Sequence, residues 1–242
     1  MERDDYIDAI RVHGHRLADA AGIDLAAAVP SCPDWTAADL VRHLDVICQF
    51  WRLLVTGEIE DRSGFTPRPD VADGVLVTTF RADLDALVDA LAPLDPATPC
   101  WTWADQHDIG FVQRRMAQEF AVHDWDAERA AGRTEAIEPS LAIDGIDEYL
   151  DVFVPRKGGH ADGEPLTAHL HATDCEGEWV AHTGAGRWNV RRAHARGDVA
   201  VRATASDLLL MLWGRRRPEG DGFAVFGEPE VLDGFLDRIS PG

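Results

Sequence analysis

The stretch RRMAQEFAVHDWDAE, Arg114–Glu128, decides how the N-terminal half of the chain folds. Advancing about 100° per residue from Val112 places Met116, Glu119, His123, Asp126 and Ala130 in one narrow stripe, with Arg115 at its edge. The spacing predicts a helix from about Phe111 to Ala131. Its inward stripe carries ionisable groups where apolar ones belong. Isolated buried charges are strongly disfavoured unless paired or metal-bound, so this helix needs a compensating partner.

Three further helical patterns surround it. Tyr6, Ile10, Leu17 and Ala21 recur at helical spacing. Thr36 is placed to cap a helix carrying Leu40, Leu44, Ile47, Trp51 and Leu54 on one stripe, and Phe80, Leu84, Leu87, Val88 and Leu91 form another before Pro93. Four amphipathic helices joined by loops predict a bundle. A shorter helix with Ile143, Ile146, Leu150 and Phe153 inward closes this domain, expected to span 1–156.

The Gly- and charge-rich stretch from Arg156 to Pro165 reads as a linker. Beyond it Leu166, Ala168, Leu170 and Ala172 alternate with Thr167, His169, His171 and Thr173, and a turn follows before Trp179: a β-hairpin. Trp188–Ala193 and Val199–Ala203 are further strand candidates, followed by a helix capped at Ser206 and a last helix near Glu230–Ile239. The expected fold class is α+β: a four-helix bundle and then, over 165–242, a small α+β domain with an antiparallel sheet.

Composition narrows the function. A formal charge of −20 over 242 residues argues against nucleic acid, which demands a concentrated Lys/Arg surface. The four cysteines, Cys32, Cys48, Cys100 and Cys175, lack the spacing of a disulfide scaffold or a zinc ribbon and fit a reducing cytoplasm. The N-terminus MERDDYIDAI has no apolar signal region, and no apolar run reaches the length of a membrane span.

His43 lies close to Ile47 and Leu54 on the helical wheel, so its imidazole points into the bundle. Glu119 and His123, at i and i+4, share one face of their helix. Two imidazoles and one carboxylate are a known catalytic zinc set with one coordination position left for water or substrate. On spacing alone a buried ion pair of Glu119 and His123, with Arg115 nearby and His43 as an ordinary core residue, is the alternative reading. Asp39 and Asp126 are candidates to orient the imidazoles, although Thr36-x-x-Asp39 also resembles a capping box. Arg115 could hold a substrate carboxylate or pair with Glu119. Trp35 and Trp125 read as bundle packing. His169 and His171 share a strand face, but no third ligand is evident and a solvated polar face accounts for them.

The segment SCPDWTAADLVRHL, Ser31–Leu44, together with Arg114–Glu128 resembles the mycothiol-dependent maleylpyruvate isomerase family, whose N-terminal domain is a DinB-like four-helix bundle. VRATASDLLLMLWGR, Val201–Arg215, more weakly resembles that family's sterol-carrier-like C-terminal module. The resemblance implies that His43, Glu119 and His123 bind a divalent metal, zinc by availability, and that mycothiol is the thiol cosubstrate for a small electrophile. Gln118 and Asp124 depart from the family's usual His and basic residue, which bears on the substrate more than on the ligands. The implied activity is thiol-dependent isomerisation or conjugation, with a metal-dependent hydrolase using bound water, or a non-enzymatic ligand-binding protein, as alternatives.

Overall fold

The structure, a computed structural model, describes residues 1–156, 164–184 and 186–240. It divides into two compact units, Met1–Glu135 and Ala136–Gly242.

The first unit is built on four long helices: α1 (Arg3–Ala21), α2 (Ala37–Val55), α3 (Asp73–Leu91) and α4 (Ile109–Ala130). α1 packs along α4 and α2 along α3, with α1–α3 and α2–α4 closing the bundle. α2 and α4 start where local chemistry satisfies their orphan amides. Asp108 accepts from the Phe111 amide at 2.9 Å to open α4. At α2 the Thr36 hydroxyl accepts from the Asp39 amide at 3.2 Å, while Asp39 accepts from the Thr36 amide at 2.9 Å, a reciprocal box. Thr36→Ala is expected to cost about 0.5–2 kcal/mol. Urea denaturation would measure it, and an unchanged midpoint would mean the box contributes nothing.

Leu17, Leu40, Leu44, Phe80, Leu84 and Phe120 are fully buried and form the core of the bundle. α4 departs from the amphipathic expectation: it is buried on nearly every side, including the polar residues Gln113, Gln118, Asp124 and Asp126. Its polar groups therefore need partners from neighbouring elements. Asp124, for example, receives His13 of α1 at 2.7 Å and Arg16 at 3.3 Å.

The second unit opens with α5 (Pro139–Glu148), which continues through a π-helical turn, Tyr149–Phe153, into α6 (Val154–Arg156). The boundary thus falls about twenty residues before the expected linker. The helix bearing Ile146 and Leu150 packs against α7 (Ala205–Leu212) of the same unit. Of the expected linker, residues 157–163 lie outside the described residues. Strands β1 (Leu166–Ala172), β2 (Glu178–Gly184), β3 (Arg187–Arg192), β4 (Val199–Ala203) and β5 (Ala224–Phe226) form one sheet in the order β3-β2-β1-β4-β5.

The sheet is mixed, where an antiparallel one was expected. β1 pairs antiparallel with β2 but parallel with β4, because the chain crosses from the β3 edge to the far side of β1 before re-entering the sheet. β5, only three residues long, has no clear alternation to reveal it. α7 is capped by Thr204, which accepts from the Asp207 amide at 3.1 Å, and not by Ser206. The Ser206 hydroxyl is turned instead to the Ile137 amide at 2.9 Å. α8 (Pro229–Ile239) completes the unit, held where the buried Tyr149 hydroxyl donates to the Ile239 carbonyl at 2.6 Å. Tyr149→Phe removes that bond alone and is expected to lower stability by about 1 kcal/mol. Thermal unfolding would report the loss.

Candidate metal centre

α2 and α4 bring His43, Glu119 and His123 together at one end of their contact. Glu119 Oε1 lies 3.2 Å from His43 Nε2 and 3.5 Å from His123 Nε2. One donor atom from each residue falls within 4.8 Å of the others, close enough to share one ion. The burial is graded: the His123 side chain is 10% exposed, Glu119 19% and His43 35%. His43 therefore stands at the mouth of the bundle rather than inside it, on the wall of a cleft of about 750 Å³ lined also by Trp35, Ile47, Phe50, Arg62 and Phe65.

The partners of these residues fix their chemistry. Asp126, fully buried, binds His123 Nδ1 at 2.9 Å, which leaves Nε2 as the nitrogen facing Glu119 and His43. Burial pulls the His123 pKa down, but Asp126 and Glu119 outweigh it and raise the imidazole to about 9. Burial pushes the Glu119 carboxyl up, yet hydrogen bonds from His123 and His43, and the charges of His123 and Arg115, hold it well below the usual carboxylate range. Without a metal the cluster is an anion clasped by cations. With one, the same three donors present two imidazole nitrogens and a carboxylate oxygen, a set suited to a divalent first-row ion.

Two of the expected residues sit elsewhere. Asp39 makes its bonds to Thr36, at 2.9 and 2.6 Å, and lies 3.8 Å from Arg42, so its place is in the capping box and not behind His43. Arg115 is 3% exposed and sets its guanidinium 3.2 Å from Glu119 Oε2, so it steadies the carboxylate rather than opening to a ligand.

The loop before α2 contributes more than spacing could show. Asp34 takes a positive φ of 70°, and the turn places Ser31 and Cys32 over Asp126: the Ser31 hydroxyl donates to Oδ1, and Cys32 Sγ lies 3.7 Å from Oδ2. Cys32, His123 and Asp126 also lie close enough to share an ion, but Asp126 already occupies His123 Nδ1, whereas Nε2 faces Glu119, which in turn meets His43 on the cleft wall. Trp35, expected in the bundle packing, sets its ring 5.0 Å from that of His43 and 6.5 Å from that of His123. A tryptophan eight residues before a helical histidine, outside the helix itself, carries no periodic signal, so only its proximity in space reveals it.

The bundle with its His–Glu–His donor cluster, followed by a mixed-sheet α+β unit, defines a two-unit class in which the helical part carries the polar site. The family model for the mycothiol maleylpyruvate isomerase N-terminal domain matches residues 8–128, and the corresponding C-terminal domain model matches residues 140–234. The chain belongs to the mycothiol maleylpyruvate isomerase family. The second match begins close to the observed boundary at Ala136.

A crystal structure of the mycothiol-dependent maleylpyruvate isomerase aligns over 94% of this chain and 95% of its own, with a TM-score of 0.65 at 13% identity. The crystal structure of a histidine-to-alanine mutant of that isomerase aligns over the same shares, with a TM-score of 0.65 at 12% identity. At such identity the likeness carries the fold alone. No curated protein matches the chain by sequence. Among the described residues, no helix is long and apolar enough to cross a membrane.

Proposed function

We propose that this protein is a metal-dependent cytoplasmic enzyme that uses mycothiol to isomerise or conjugate a small electrophile. The observation that carries this reading is the convergence of one donor atom each from His43, Glu119 and His123 within 4.8 Å, with His43 on the wall of an open cleft. These three residues would hold the ion, zinc being the most available that suits imidazole and carboxylate together. A bound divalent ion supplies positive charge that favours the thiolate over the thiol at neutral pH.

The chain's own residues prepare the place for that thiolate. Arg115 brings one positive charge, and the carboxylates of Glu119 and Asp126 bring two negative ones, so with neutral imidazoles the floor carries one net negative charge. A divalent cation there leaves one positive charge unmatched, which an anionic sulfur neutralises and a neutral ligand does not. Phe50 and Phe65 give the cleft an apolar wall, and Arg62 lies over both rings, 5.8 and 5.3 Å from their centroids, where it can meet a carboxylate of the electrophile. In isomerisation the mycothiol sulfur bonds to one carbon of a conjugated double bond and its electron pair moves to the activating carbonyl. Rotation about the resulting single bond and expulsion of the same sulfur return the trans alkene with no net change in the thiol. In conjugation, a proton captures the carbanion instead.

Calorimetry of the metal-loaded protein with mycothiol tests the thiol half, and absence of binding would sink it. Elemental analysis of untagged protein tests the metal half. The proton on His123 makes a further prediction: because its pKa is about 9 without metal, binding at pH 7 must displace a proton. Apparent metal affinity is expected to rise about tenfold per pH unit from 7 to 9 and then to level. Titrations in buffers of different ionisation enthalpy would show about one proton released per metal, and a flat profile would contradict the assignment.

A further inference from the structure

The second unit gathers histidines in a way that strand alternation alone does not reveal. His169 and His171 lie on one face of β1; the ladder sets His171 opposite Glu178 of β2 and His169 opposite Val180, one step along. The chain leaving β3 returns His194 to the same carboxylate. Glu178 Oε2 lies 3.0 Å from His169 Nε2 and 2.6 Å from His194 Nδ1, and Oε1 lies 2.8 Å from His171 Nδ1. The expectation of a solvated strand face without a third ligand therefore fails, because the hairpin supplies the carboxylate and the far end of β3 supplies a third imidazole.

We propose that His169, His171, Glu178 and His194 form a second metal site, structural in kind, for a divalent first-row ion such as zinc, separate from the bundle's donor set. Three imidazoles around one carboxylate are over-supplied with nitrogen for an ion pair, since one negative charge matches only one imidazolium. As neutral ligands they make an N3O set, which suits zinc, copper or nickel and not calcium or magnesium. Tetrahedral zinc with ligands at about 2.0–2.1 Å holds its donors about 3.3 Å apart. Each of the three nitrogens sits 2.6–3.0 Å from a Glu178 oxygen, so admitting an ion asks each contact to open by well under 1 Å. His169, His171 and Glu178 already have their donor atoms within 4.8 Å of one another.

The surroundings admit a cation. The cluster borders a cleft of about 600 Å³ that gives solvent access, and the nearby Arg192 is held by Asp147 at 2.9 Å. Cys175 lies on the same cleft, but its thiol is not among the donor atoms grouped within 4.8 Å of one another. Four protein donors would leave no position for substrate, in contrast to the three of the bundle, so the ion would tie β1, β2 and the end of β3 together.

The test is zinc titration of the full-length protein after chelator treatment, with bound equivalents counted by elemental analysis. The His171→Ala/His194→Ala variant is expected to bind one equivalent fewer than the unmodified protein, and His43→Ala to leave that equivalent in place. If the bundle site binds no zinc, the unmodified protein still binds one equivalent and the double variant none. Equal zinc content in the two proteins would overturn the proposal. Should the double variant fail to fold, His194→Ala decides, because that side chain is 82% exposed and its loss leaves the fold intact. It is expected to weaken one zinc equivalent at least tenfold, and unchanged affinity would equally overturn the site.

Discussion

Glu119→Gln is expected to remove the bundle's metal and, with it, thiol-dependent turnover. The substitution preserves volume and planarity, so no cavity opens beside the fully buried Phe120. What changes is charge: the carboxylate that faces both His43 and His123 becomes a neutral amide, whose oxygen is a poor ligand for zinc. Loss of a group that merely orients a ligand costs about 10–100-fold in metal affinity, so loss of a ligand itself should exceed about 100-fold. Arg115 aggravates the effect. Its guanidinium, 3.2 Å from Glu119 Oε2, would then face an incoming cation without a counter-charge. Metal content after dialysis and turnover at saturating thiol are the measurements. Full metal occupancy in the variant would refute the tripod, whereas normal metal with no thiol binding in the unmodified protein would refute only the choice of cosubstrate.

Asp126→Ala should have the second-largest effect, on stability and on pH dependence together. Asp126 is fully buried, with one carboxylate oxygen on His123 Nδ1 and the other on the Ser31 hydroxyl. Removing one partner of a buried pair costs about 3–5 kcal/mol, because it strands the other. The sign with pH follows from the raised His123 pKa. In the metal-free protein the stabilisation is fully present below the ordinary value of 6.5 and is lost as pH rises through about 9. The variant is therefore weakened most at pH 6 and least above pH 9. Its metal affinity should also stop climbing at a lower pH than that of the unmodified protein, since the proton on His123 is held less firmly. Guanidinium denaturation at pH 6 and pH 9.5 would separate the two; equal losses at both values would show that Asp126 acts through packing and not through the imidazolium.

The helices of the bundle were legible from their helical stripes, and α2 announces itself twice, by an apolar stripe and by a capping residue. Leu40, Leu44 and Leu54 behind Thr36 carry both signals. The ligand pair Glu119 and His123 was legible for the same reason: i and i+4 fix a shared face whatever else surrounds the helix. His43 was legible as a position but not in its exposure, since a wheel states direction and not how far along the bundle its covering neighbours extend. Asp39 and Arg115 show where such reasoning stops. Helical spacing alone allowed each its expected role, and in each case another partner, Thr36 or Glu119, takes the side chain.

The second unit shows the same division more sharply. Alternation located β1 to β4, but the parallel pairing of β1 with β4 and the strand order depend on a crossover whose direction no local period encodes. The boundary at Ala136 likewise depends on which surface buries α5, and an apolar stripe does not name its partner.

By itself, then, the sequence determined the local elements and the His–Glu pair on α4, because helical and strand periods are short-range facts set by backbone geometry. Only the tertiary structure decided what lies across from each side chain: Trp35 beside the two imidazoles, Ser31 over Asp126, and Glu178 and His194 beside the histidines of β1. Contacts between residues far apart in the chain are chosen by burial and pairing of the whole fold, and no spacing along the sequence records them.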